Sequence, residues 1–100
     1  DPVAAQKQFT PENADLLEEL TNRFELLSEF THENTEKTLA DMANELGMKK
    51  AQLIHPTRLA VTGTPVGPGL YDILVVLGKT VVVGRMRKAI QYIRTLNTVK

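Results

Sequence analysis

Arg58, the run Gly67-Pro68-Gly69-Leu70 and Tyr71 are the residues of this chain whose types and spacing could do chemistry. That chemistry is recognition rather than bond-making. A guanidinium is a planar donor fork that fits phosphate oxygens or base edges. A helix starting at Pro68 leaves the backbone N–H groups of Gly69 and Leu70 outside the helical ladder, open to a partner with acceptor atoms. Glycine lets such a partner approach the main chain closely. The Tyr71 ring is a surface on which a base can stack. Each residue also has a structural reading: Arg58 as an ion pair with acidic residues, the Gly-Pro-Gly run as an ordinary helix entry, Tyr71 as half-buried core. Lys79, Arg85, Arg87 and Lys88 form either a phosphate patch or a solvated helix face.

No bond-making constellation accompanies them. The chain has no cysteine, hence no disulfide, thiolate metal site or thiol nucleophile. That weakly favours a reducing, intracellular compartment. His32 and His55 have no ligand-spaced carboxylate nearby and read as surface or capping residues. Phosphate-cradling G-x-x-x-x-G-K-[ST] loops, H-E-x-x-H and nucleophile elbows are missing. The expectation is therefore no catalytic residue, no metal and no cofactor in this segment. No apolar run of the length needed to span a membrane occurs, and no leader is visible. The start at Asp1, without a methionine, reads as an excised domain or processed product.

The elements that position these residues follow from apolar spacing in one 100-residue domain. Residues 1–9 read as a linker. Thr10-Pro11-Glu12 is a helix start, and Leu16, Leu17, Leu20, Phe24, Leu27 and Phe30 recur at helical spacing, predicting a helix from Pro11 to Phe30. Thr35 is the expected cap of a second helix with Leu39, Met42, Ala43 and Leu46 on one face, stopped by Gly47. Lys49 to Ile54 reads as a short turn, and Pro56 as the start of a helix ended by Thr62-Gly63. Residues 70–83 are rich in valine, and local propensity would allow a hairpin. Leu70, Ile73, Leu74 and Leu77, and then Val82, Met86, Ala89, Ile90, Ile93 and Leu96, fit helical faces better. The expectation is helices over Pro68–Leu77 and Thr80–Leu96, broken at Gly78. The fold class is all-α, a cage or bundle of about five helices.

A net charge of zero conceals a division. Residues 1–47 carry eleven acids against three bases, and residues 48–100 nine bases against one acid, Asp72. The basic half suggests a polyanion-binding face; alternatively the two halves pack together and neutralise each other.

Pro56, Arg58, Ala60, Thr62-Gly63, Gly67-Pro68-Gly69-Leu70, Ile73-Leu74 and Leu77-Gly78-Lys79, followed by a basic helix, resemble the C-terminal signature of bacterial-type glutamyl-tRNA synthetases. The resemblance covers about residues 54–96. It implies a helical anticodon-binding domain in which Arg58 reads an anticodon base and Gly67, Pro68, Leu70 and Tyr71 contribute further contacts. It further implies a glutamate-accepting tRNA as partner and an upstream catalytic domain of the same chain. The parent enzyme would be a cytoplasmic monomeric ligase using ATP and Mg, with no membrane association. Three positions depart from the signature: Thr57 stands for the usual leucine, Gly67 for a hydroxyl residue in some members, and His55 for a common Gln or Met. The resemblance tips the charge division toward a basic face turned to RNA. A helical protein–protein docking domain using the acidic half is the alternative. A DNA-binding helix-turn-helix is disfavoured, and the related domain of class I lysyl-tRNA synthetases is a distant cousin.

Overall fold

Thr10 accepts a hydrogen bond from the Asn13 amide through its hydroxyl, and Pro11 occupies the first turn, so the first predicted helix start is where the sequence puts it. The computed structural model describes residues 2–64 and 66–98. Along it run α1 (Pro2–Gln8), α2 (Pro11–Glu25), α3 (His32–Glu45), α4 (Ala51–Thr62), α5 (Leu70–Leu77) and α6 (Lys79–Thr98). The fold is all-α, with six helices and no strand among the described residues. The valine-rich stretch that could have made a hairpin lies in α5 and α6, separated by Gly78 at φ +86°.

The core is one cluster. Leu17, Leu20 and Phe24 of α2, Leu39 and Met42 of α3, Leu53 and Val61 of α4, Leu74 of α5 and Val82, Met86 and Ile93 of α6 are all essentially inaccessible. At about 25 cal/mol per Å² of apolar area, such burial is the main force holding the helices together.

Four expectations need correction. Residues 2–8, read as linker, form α1, and the following Phe9 packs on the core. Helix α2 ends at Glu25, not Phe30. Leu26 faces solvent, while Phe30 returns to the core edge-on against Phe24 at 5.6 Å. The exposed end is taken up by Lys79, whose Nζ donates to the carbonyls of Glu25 (3.2 Å) and Leu27 (2.8 Å). The α3 cap is Thr31: its hydroxyl accepts from the Asn34 amide at 3.0 Å. Thr35 is instead buried inside α3, donating to the Thr31 carbonyl at 2.8 Å. Helix α4 begins at Ala51, so Pro56 lies within it rather than at its start. Proline there cannot donate to the Gln52 carbonyl, and Gln52 is exposed, where water can take that acceptor. Thr31→Ala should therefore cost about 1 kcal/mol of unfolding free energy, within the range for lost threonine caps. Urea denaturation checks it, and an unchanged midpoint would remove the cap from the energetics.

The charge division is largely resolved inside the domain. Helices α2 and α6 lie side by side. Arg87 pairs with Glu25 at 2.7 Å, and Arg94 with Asp15 at 3.1 Å and Glu18 at 3.0 Å. Arg94 holds the Glu18 carboxyl below the usual carboxylate range. Within the acidic half, Arg23 joins Glu19 and Glu45 and lowers the Glu45 carboxyl likewise. For these residues mutual neutralisation is the correct reading, because the packing of α2 on α6 brings opposite charges together.

Candidate functional site

The candidate site is built where α4 ends and α5 begins. Gly63, at φ +80°, closes α4 in a left-handed conformation that favours glycine. The Thr62 hydroxyl donates back to the Arg58 carbonyl at 2.7 Å and accepts from the Thr64 amide at 3.2 Å. The Thr64 hydroxyl donates to the Val66 carbonyl at 2.8 Å. Two threonines thus knit the loop to the helix it leaves.

Arg58 projects from the same turn of α4, and its Nη1 donates to the Pro68 carbonyl at 2.6 Å. The alternative structural reading, an ion pair with the acidic half, gives way to this tether. A Cβ at Gly67 would stand 3.6 Å from that nitrogen, an ordinary contact, but Gly67 has φ +155°. The expected helix start at Pro68 shifts by two residues. Helix α5 begins at Leu70, with Gly69 as its cap residue accepting from the Ile73 amide at 3.2 Å. The amides outside the ladder are those of Gly69, Leu70, Tyr71 and Asp72, so the two expected at Gly69 and Leu70 remain among them. Leu70 is buried as a whole residue, main chain included, so the expected contact at this position has little surface to use.

Asp72 occupies the first turn of α5, its carboxylate close enough to Gly69 that a Cβ there would lie 3.3 Å from Oδ2. It complements the positive helix end with a fixed negative charge. That disfavours a phosphate at this terminus and favours neutral acceptors such as base carbonyls. Pro65 lies outside the described residues.

One residue joins the site without any signal in the sequence. His32, the first residue of α3, places Nε2 3.6 Å from Asp72 Oδ1. Its ring meets Tyr71 edge-on with centroids 5.5 Å apart. Forty residues separate them, and only the docking of α3 on α5 unites them. Tyr71 is half-buried, and burial, with a smaller contribution from the Glu36 carboxylate, raises its phenol above the ordinary range. It remains a neutral hydroxyl with one ring face supported by protein. Pro68, Asp72, Ile73 and Val76 line an adjoining shallow groove of about 270 Å³.

The phosphate candidates divide. Lys79 is spent on the end of α2, and Arg87 on Glu25 and the Asn22 side chain. Arg85 gives Nη1 to the Val61 carbonyl at 2.7 Å, and Lys88 is exposed. A roomier groove of about 400 Å³ between α2 and α6 contains Arg87 and Arg94, whose charges are already paired. Among the described residues no group of three or more His, Asp or Glu could hold a metal, and no helix is long and apolar enough to cross a membrane.

Residues 1–90 match the family described as an anticodon binding domain. The chain is similar to the glutamate–tRNA ligase of Thermodesulfovibrio yellowstonii, 38% identical over 90 residues that cover 90% of this chain and 19% of that protein. With the glutamate–tRNA ligase of Chlorobium chlorochromatii it shares 41% over 93 residues, covering 93% of this chain and 18% of that one. Among solved structures, a glutamate tRNA ligase from Elizabethkingia meningosepticum in complex with its amino acid aligns with a TM-score of 0.86. The identity there is 31%, over 91% of this chain and 18% of that one. The chain thus spans about a fifth of the length of the curated relatives it matches.

Proposed function

The chain belongs to the anticodon binding domain family, and from that premise we propose that it reads the anticodon of a glutamate-accepting tRNA for a glutamate–tRNA ligase. In this reading its role is to bind and orient. Aminoacylation, with its ATP and Mg, belongs to a catalytic domain elsewhere in a cytoplasmic, monomeric parent enzyme.

The observation that carries the proposal is the Arg58–Pro68 tether. It fixes a guanidinium, a Gly-Pro-Gly main chain and the Tyr71 ring at one corner of the domain. Of the five N–H donors on a guanidinium the tether uses one, leaving enough for a bidentate contact with a base edge. The Tyr71 amide offers a donor for a base carbonyl, and the Tyr71 ring a stacking surface. Three kinds of base contact converge on unpaired nucleotides, which is how sequence is read in RNA loops. The docking alternative weakens, because α2 acids that a protein partner would use are engaged by Arg23, Arg87 and Arg94.

Fluorescence anisotropy with an anticodon stem-loop of glutamate tRNA, and with the same loop carrying altered anticodon letters, tests the reading across salt. Preference for the cognate loop is expected. With Arg85 and Lys88 as the cations available for phosphates, log affinity should fall against log salt with a slope of magnitude about 1.5, at roughly 0.7–0.9 per phosphate neutralised. Equal, salt-independent binding of both loops would overturn the proposal.

A further inference from the structure

Helix α6 carries three stripes. Val82, Met86 and Ile93 face the core. Arg87 and Arg94 face the acids of α2. The third stripe is Arg85, Lys88, Tyr92 and Leu96, spaced three and four apart and exposed along its length. It borders a shallow groove of about 280 Å³ lined by Phe9, Leu59, Ala60, Arg85, Lys88 and Tyr92. Tyr92 is 53% exposed, and Phe9 braces it edge-on, with ring centroids 6.3 Å apart. Arg85, tied by Nη1 to the Val61 carbonyl, stands where α4 gives way to the loop anchored by Arg58.

An exposed ring held by a second aromatic, with a cation one helical turn away, combines a stacking surface with phosphate attraction. Among the described residues no acidic one lines the groove, whereas the neighbouring α2–α6 groove contains Glu18. We infer that the groove between Phe9, α4 and α6 is a second RNA contact, taking one unpaired nucleotide outside the anticodon triplet: Tyr92 stacks its base, and Lys88 and Arg85 hold its phosphate. This deepens the anticodon-binding reading and rests on it. The groove extends the RNA path from the Arg58 corner along α6. Stacking and charge attraction do not distinguish bases, so this contact adds affinity without selectivity.

The test uses the full-length ligase that carries this segment. Tyr92→Leu keeps an apolar contact with Phe9 but removes the stacking face, Tyr92→Phe keeps the ring, and Lys88→Gln removes a charge at an exposed position. Tyr92→Leu should raise the KM for tRNA on the order of tenfold, as for loss of one stacked base. Its kcat and salt slope should be unchanged, and Tyr92→Phe should restore wild-type KM. Lys88→Gln should reduce the salt slope by roughly 0.7–0.9. Selectivity among anticodon variants should be intact in all three. Wild-type KM and slope in folded Tyr92→Leu and Lys88→Gln would overturn the inference, as would a KM increase that Tyr92→Phe fails to repair. If Arg58→Ala loses anticodon selectivity while these variants are silent, only the second contact fails. If Arg58→Ala also keeps its selectivity, the Arg58 base contact fails as well.

Discussion

Arg58→Ala in the full-length ligase is expected to cut discrimination against altered anticodons by about 5- to 150-fold, the equivalent of the 1–3 kcal/mol that a good bidentate base contact contributes. Two effects combine. The base loses its planar donor fork, and the Pro68 carbonyl loses the tether that orients the Gly67-Pro68-Gly69 main chain. Arg58→Lys separates them. An ammonium can donate once to Pro68 but cannot present a second, coplanar pair of donors to a base, so little discrimination should return. The measurement is kcat/KM for tRNAs changed at each anticodon letter, with thermal melting to establish that both variants are folded. A folded Arg58→Ala enzyme with wild-type selectivity would reduce Arg58 to a loop tether. The variant tests a proposed role; the tether itself is a feature of the fold.

Thr57→Val is expected to stabilise the domain by about 1–3 kcal/mol, the cost of a buried polar group left without a partner. Thr57 is wholly buried in α4, and its hydroxyl has no hydrogen-bond partner among the described residues. Valine matches its shape, keeps a branched Cβ and removes the unsatisfied oxygen. For a domain of this size each kcal/mol moves the melting temperature by roughly 4–8 °C, so differential scanning calorimetry resolves the change. The glutamyl-tRNA synthetase signature that the sequence resembles has leucine at this position, which suits an apolar site. An unchanged or lower melting temperature would mean that the hydroxyl is satisfied in solution.

Much of this architecture could be read before any coordinates. Leu17, Leu20 and Phe24 predicted the buried face of α2, and Val82, Met86, Ile90 and Ile93 that of α6, because long amphipathic periods leave little choice of face. Gly63 and Gly78 punctuated the helices as expected. What failed depended on distant partners. The end of α2 is fixed by Lys79, more than fifty residues later. Thr35 reads as the α3 cap in the sequence, but it is buried inside the helix and Thr31 takes the cap. Pro56 looked like a helix start because proline favours first turns, yet α4 tolerates it where the orphaned acceptor is exposed. Within the candidate site, Arg58 and the Gly-Pro-Gly run stood out as unusual residues in one short segment. His32 did not, since its significance comes from the ring and the charge that the fold sets beside it.

The pairing of α2 with α6 also governs how this chain acquires its structure. Its ion pairs join residues 62 to 79 positions apart in the sequence. Closing a loop of that size costs entropy before the contacts repay it. Helical domains built from neighbouring contacts fold fastest, and this one carries a long-range closure that should place it among the slower of them. On the ribosome, α2 emerges with Leu17, Leu20 and Phe24 lacking most of their partners until α6 has been made.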